Sequence, residues 1–211
     1  MIKIKGLAYT YKGYRTIIYP DWSLMQGQQS IVTGKAGSGK TTLLHLISGL
    51  LGIQQGEIQV CDQSLEDIKG SKLDRFRGRY IGLINTIPYF IPFFTIQDNL
   101  FLTQQLGTGS ENIDRAYLLL HEFGLAGKAI KYPSELSLFE LKVAAIIRAI
   151  INKPKLILAD EPAMDLGEQE SISLLRILTS QAANYESTLI IATQNPKIQE
   201  LFKNQLRLEN V

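Results

Sequence analysis

The chain is poor in the residues that most often carry redox or metal chemistry: one cysteine, one tryptophan and two histidines among 211 residues. A lone thiol, Cys61, excludes an internal disulfide and has no companion for a metal site, which fits a reducing cytosol. His45 and His121 have no ligand partners nearby in sequence, so packing or solvent accounts for them before catalysis does. An excess of one charge is also missing. Lys and Arg number 22 against 20 Asp and Glu, a net charge of +2, so no nucleic-acid partner is expected. The one basic cluster, residues 69–79, is broken by Asp74 and Phe76 and reads as a solvated helix face. No apolar run approaches the ~20 residues that cross a bilayer, so a membrane role would have to come through a partner. The opening Met1-Ile2-Lys3-Ile4-Lys5 alternates like a strand and lacks the shape of a signal peptide. What remains is a 45% hydrophobic chain, enough for a sizeable core in a single domain.

Against these absences stands one dense motif, Gly34-Lys35-Ala36-Gly37-Ser38-Gly39-Lys40-Thr41, followed by Thr42. Before it, Gln29-Ser30-Ile31-Val32-Thr33 reads as a buried strand; after it, Leu43, Leu44, Leu46 and Ile47 recur at helical spacing. Strand, glycine loop and helix form a P-loop, whose backbone N–H groups and helix N-terminus converge on a phosphate-sized hole. Lys40 is expected to reach the β- and γ-phosphates of a nucleoside triphosphate, and the Thr41 hydroxyl to ligate Mg²⁺.

A second signal is Leu156-Ile157-Leu158-Ala159-Asp160-Glu161. Four apolar residues ending in two carboxylates describe a buried strand whose carboxyl end opens onto the ligand crevice of an α/β sheet. Asp160 is the expected Mg²⁺ holder and Glu161 the group that polarises an attacking water. The bland alternative is a strand-ending turn, for which Asp160-Glu161-Pro162 is good chemistry. Further strands are expected over residues 2–7, 15–19, 57–60, 80–85 and 187–193, and helix over 167–183. Residues 96–151 are mostly helical in pattern. A parallel α/β core carrying a helical insertion over about residues 90–153 accounts for this order, all within one domain spanning 1–211.

Spacing and order along nearly the whole chain resemble the nucleotide-binding subunit of ATP-binding cassette (ABC) transporters. Residues 34–41 match the Walker A motif, and residues 156–161 with Pro162 match Walker B and its catalytic glutamate. Tyr11 matches the aromatic that stacks on adenine, with Tyr9 as the alternative if the register shifts by two. Pro133-Ser134-Glu135-Leu136-Ser137 and Ala159-Asp160-Glu161-Pro162 are most similar to the lipoprotein-release, macrolide-export and cell-division branch. The resemblance implies a P-loop NTPase core with an N-terminal antiparallel β subdomain and an inserted α-helical subdomain. It also implies ATP and Mg²⁺ as ligands and a homodimer or heterodimer with a second nucleotide-binding subunit. A transmembrane permease subunit would hold the protein at the cytoplasmic face of the membrane. The aromatic run Pro88-Tyr89-Phe90-Ile91-Pro92-Phe93-Phe94 resembles the family segment that meets it; a core-packed loop is the other reading.

Four family motifs depart from the pattern, at five positions. After Leu136-Ser137 the family continues Gly-Gly-Glu, the signature that caps the partner subunit's ATP; here Leu138-Phe139-Glu140 follows, bulky where glycine allows close approach. Ser137 and Glu140 still form a capping box able to start a helix. The family glutamine that touches Mg²⁺ falls on Thr86, which is too short to reach as far. The switch histidine falls on Gln194, a neutral donor that substitutes weakly. The aspartate of the loop after Walker B falls on Gly167, with Asp165 two residues away. A hydrogen bond to a charged group is worth ~1.5–3 kcal/mol and each ~1.4 kcal/mol is tenfold in rate. Two or three lost contacts would slow hydrolysis roughly a hundred- to a hundred-thousandfold while binding is largely spared. The expectation is an ATP-binding transporter subunit with weak hydrolysis. A non-hydrolysing regulatory or scaffold subunit, and a soluble P-loop ATPase outside transport, stand as alternatives.

Overall fold

The computed structural model describes residues 1–208. In chain order its elements are strands β1 (Ile2–Thr10), β2 (Thr16–Ile18), β3 (Trp22–Leu24) and β4 (Gln29–Thr33), helix α1 (Lys40–Ile47), strands β5 (Gln55–Val60) and β6 (Gln63–Ser64), helix α2 (Ser71–Tyr80) and strand β7 (Ile81–Ile84). Helices α3 (Ile96–Thr108), α4 (Ile113–Glu122) and α5 (Leu138–Ile150) follow, then strand β8 (Leu156–Asp160), helix α6 (Glu168–Asn184), strand β9 (Thr188–Thr193), the short helix α7 (Pro196–Gln199) and strand β10 (Asn204–Arg207).

The strands form two sheets. One is antiparallel, in the order β2-β1-β5-β6 with β3 also paired to β1; the other is parallel, in the order β10-β4-β9-β8-β7. Helices α3, α4 and α5 are all contributed between β7 and β8. The parallel sheet is covered on both faces, and its strands divide their side chains by the period of two. Ile31, Ile157, Ala159, Leu189 and Ile191 face one cluster, built with α3 to α6. Val32, Leu156, Leu158, Ile190 and Ala192 face the other, built with α1 and the antiparallel sheet. Near-continuous apolar runs are therefore what β8 and β9 require.

Differences from the sequence expectation have local causes. Strand β1 runs three residues past Leu7, because Gly6 at φ 58° absorbs a register shift against β5 between Lys5 and Ala8. Strand β3 is three residues long and too short for any periodicity to declare it. The box at residues 137–140 does start α5: the Ser137 hydroxyl accepts from the Glu140 N–H at 3.2 Å, and the Glu140 carboxylate accepts from the Ser137 N–H at 2.8 Å. That N–H, followed by Lys128 at 3.0 Å, holds the Glu140 carboxyl below its ordinary range.

Register sets the site. Thr33 lies beside Thr193, Ala192 beside Asp160, and Ala159 beside Ile84. The carboxyl ends of β4, β9, β8 and β7 thus open along one edge, where an α/β sheet binds its ligand.

Candidate functional site

At that edge lies a cleft of about 760 Å³, lined by the loop and first turn of α1 from Ala36 to Thr42, by Asp160, Glu161, Thr86 and Gln194, and by Tyr11 with its neighbours on the β1–β2 turn. Residues separated by more than 180 positions in sequence meet here. The loop closes tightly. A Cβ on Gly34 would sit 2.4 Å from Ser38 Oγ, and one on Gly39, at φ 90°, would sit 2.9 Å from both Ile17 Cγ2 and Tyr19 Oη. Lys40 is buried, and its ammonium donates to the carbonyls of Gly34 at 2.8 Å and Lys35 at 2.9 Å. The charge is therefore held over the loop by two acceptors that an anion can replace.

Tyr11 lines the cleft and Tyr9 does not. The two rings meet edge to face at 4.9 Å, and the Tyr11 hydroxyl lies 3.2 Å from Thr42 Oγ1. The Tyr19 hydroxyl donates to Gly39 O at 3.1 Å and ties the antiparallel sheet to the loop; burial pushes this phenol well above its ordinary pKa.

Asp160 is buried at the end of β8. Its Oδ2 accepts from the Thr41 hydroxyl at 2.8 Å and from the Thr86 hydroxyl at 3.2 Å. Its Oδ1 is buried with no hydrogen-bond partner among the described residues. A buried carboxylate oxygen left unpaired is costly, and beside a threonine hydroxyl it suits a small hard cation such as Mg²⁺, which takes oxygen ligands. The residues present fit that ion.

Glu161 follows in left-handed backbone, φ 42°. Its carboxylate accepts from Thr193 Oγ1 and from the backbone N–H of Gln194, each at 2.8 Å. The side chain is thereby turned toward the end of β9 rather than along β8. Lys142, on α5, is 3% exposed and donates to Thr86 O at 3.0 Å. Burial pushes its pKa down, opposed by the charge of Asp165.

Of the residues singled out from sequence, Tyr11, residues 36–42, Thr86, Asp160, Glu161 and Gln194 border this cleft, Gly34 and Lys35 line a neighbouring cleft beside β10, and Tyr9, Leu138, Phe139, Asp165 and Gly167 line neither. Thr86 is short, yet it reaches Asp160. Tyr19, Thr193 and Lys142 escaped the sequence reading. The first two leave no local signal, since their partners lie 20 and 32 positions away. Lys142 left one: a single cation inside the apolar run from Leu141 to Ile147.

The signature positions separate. Leu138 is 40% exposed at the start of α5, whereas Phe139 is half-buried against the helical core cluster. The aromatic run also divides. Phe90 packs on the core beneath the Arg148 guanidinium, 4.6 Å from its ring centroid, while Ile87, Tyr89 and Phe93 are 63, 65 and 86% exposed. Buried Asn99 pins this loop, accepting from Ile91 N and donating to the carbonyls of Ile91, Phe94 and Thr95. Exposed aromatics thus sit on a fixed backbone.

A P-loop nucleotide-binding protein is the class that fold and cleft define. Comparison with known proteins narrows it. The ABC transporter family profile matches residues 20–164. The lipoprotein-releasing system ATP-binding protein LolD of Buchnera aphidicola is 35% identical over 96% of this chain and 93% of its own. LolD 1 of Chlorobium luteolum is 34% identical over 90% and 84%. Among solved structures, the dimeric post-hydrolysis state of the ATP-binding cassette MJ0796 bound to ADP and Pi superposes with a TM-score of 0.89, at 25% identity over 99% of this chain and 94% of that one. The chain belongs to the ABC transporter family, as an ATP-binding subunit.

Proposed function

We propose that the cleft binds ATP with Mg²⁺ and couples that binding, with slow hydrolysis, to a transmembrane partner of the lipoprotein-release kind. The observation that carries this is the Asp160 carboxylate: one oxygen is held by Thr41 and Thr86, the other is buried and unpaired beside the P-loop. Residues 36–42 would wrap the triphosphate, with Gly34 and Lys35 shaping the loop entry and Tyr11 meeting the base. Lys40 would transfer its donors from Gly34 O and Lys35 O to phosphate oxygens, a charge-assisted bond stronger than the one given up. Thr41 and Asp160 would hold Mg²⁺, which supplies charge neutralisation on the phosphates when bound.

Glu161 would orient the attacking water. Both of its carboxylate oxygens accept hydrogen bonds, one from the Thr193 hydroxyl and one from the Gln194 N–H, and these fix its orientation at the end of β9. Gln194 would contribute a neutral donor. The names of the relatives support lipoprotein release as the process served, and the helix-rich stretch over 90–153 would act as one inserted unit. Among the described residues no helix is long and apolar enough to cross a membrane, so attachment would run through the exposed side chains of Ile87, Tyr89 and Phe93. The membrane subunit would meet them from the cytoplasmic side, with a second nucleotide-binding subunit, identical or not, closing the cleft. Titration with a fluorescent ATP analogue tests the reading: tight, Mg²⁺-dependent binding is expected, and no binding would overturn it.

A further inference from the structure

Three hydrogen bonds form a continuous path from α5 to the expected cation ligands Thr41 and Asp160. Lys142 Nζ donates to Thr86 O at 3.0 Å, Thr86 Oγ1 donates to Asp160 Oδ2 at 3.2 Å, and Thr41 Oγ1 donates to the same oxygen at 2.8 Å. The two ends belong to different parts of the fold. Lys142 lies on α5, five residues past the capping serine, and Asp160 ends the central strand β8. Thr86 sits two residues beyond β7, where no ladder fixes the backbone. We propose that Lys142 and Thr86 are a positioning pair for the cation site, in which the lysine fixes the loop after β7 and the threonine hydroxyl fixes the rotamer of Asp160.

Thr86 gives Oδ2 a second donor when a cation arrives. Thr41 has one hydroxyl proton and two oxygen lone pairs, so it can ligate a cation through a lone pair and still donate that proton to Oδ2. Without Thr86 the carboxylate would keep that single donor, itself tied to the cation, and could turn about its terminal torsion, which is broad for Asp. With Thr86 in place, Oδ2 stays anchored and Oδ1, buried and unpaired, stays presented. An anchored ligand loses less freedom when it binds, which is how partners around a metal ligand raise affinity, commonly tenfold or more. Lys142 is the only donor from α5 to the Thr86 backbone among the described contacts, and at 3% exposure it has no solvent alternative. The threonine at this position thus exchanges reach for anchorage.

This inference rests on the ATP–Mg²⁺ reading above, and the test separates the two. Affinity for a fluorescent ATP analogue is measured on the full chain in Mg²⁺ and in EDTA, for wild type, T86V, T86S and K142M, with a melting curve for each. The expected result is that T86V and K142M shrink the gain from Mg²⁺, the ratio of affinity in Mg²⁺ to that in EDTA, by about tenfold. T86S should retain the gain. A wild-type protein with no gain from Mg²⁺ would overturn the cation reading itself. A wild-type gain that T86V or K142M keeps in full would overturn the positioning pair alone, as would equal losses with and without Mg²⁺, the mark of general disruption. If K142M melts too low to assay, the contrast between T86V and T86S decides.

Discussion

The phosphate end of the cleft and the start of α5 have diverged to different degrees. At the first, every position that must be small, charged or hydroxylated is so, and each is held: Gly39 against Ile17 and Tyr19, Lys40 over two carbonyls, Thr41 on Asp160. At the second, the helix-starting chemistry of Ser137 and Glu140 is intact, but Leu138 and Phe139 stand where the resemblance expects glycines. One region would serve the nucleotide held in this chain's own P-loop. The other would serve a ligand bound by a second subunit. Folding constrains both through caps and burial, whereas only a working contact across an interface demands glycine at 138 and 139.

The largest expected effect breaks the first region. Lys40→Ala removes a buried ammonium that no amide can replace, and two charge-assisted bonds at ~1.5–3 kcal/mol each predict a loss of affinity of roughly a hundredfold or more. A nucleotide titration checks it; wild-type affinity in the variant would dissolve the contrast between the two regions. Next comes the second region. Leu138→Gly with Phe139→Gly is expected to strengthen ATP-dependent dimerisation by about tenfold, the yield of one regained hydrogen bond to a charged group, read by light scattering in a non-hydrolysing Glu161→Gln background.

The same double variant should lose stability, because the two halves of the dipeptide differ. Phe139 packs on the helical cluster and Leu138 is exposed. Truncating a half-buried ring is expected to cost about 2 kcal/mol, around half of the full-burial value, while Leu138→Gly alone costs about 1 kcal/mol through helix propensity. Denaturant melts of the two single variants separate these. Smallest is Ser137→Ala, which should cost about 1 kcal/mol by removing the cap and leave nucleotide affinity unchanged.

The layered fold was readable in the sequence because its strongest signals are periodic or stereochemical: the apolar runs of β4, β8 and β9, the glycine loop, and the Ser137–Glu140 box. The cleft was readable where its residues are contiguous, as in 34–42 and 160–161. It was not readable where parallel strands bring together residues far apart. No spacing announces that Thr193 will reach Glu161, since that follows from the register of β8 against β9. Thr86 read as a shortened glutamine because reach is visible in a sequence and a hydrogen bond to Asp160 is not. Phe139 read as bulk facing a partner, while the fold turns its ring partly into the core.

The central claim is that this chain keeps a complete nucleotide cradle while its own contribution across a dimer is impaired. Steady-state turnover of the unmodified protein at saturating ATP and Mg²⁺, measured across a hundredfold range of protein concentration, tests it most directly. The account predicts a slow rate per subunit that changes little with concentration and disappears in Glu161→Gln. Vigorous turnover that climbs steeply as the protein is concentrated, the signature of a competent homodimer, would contradict it.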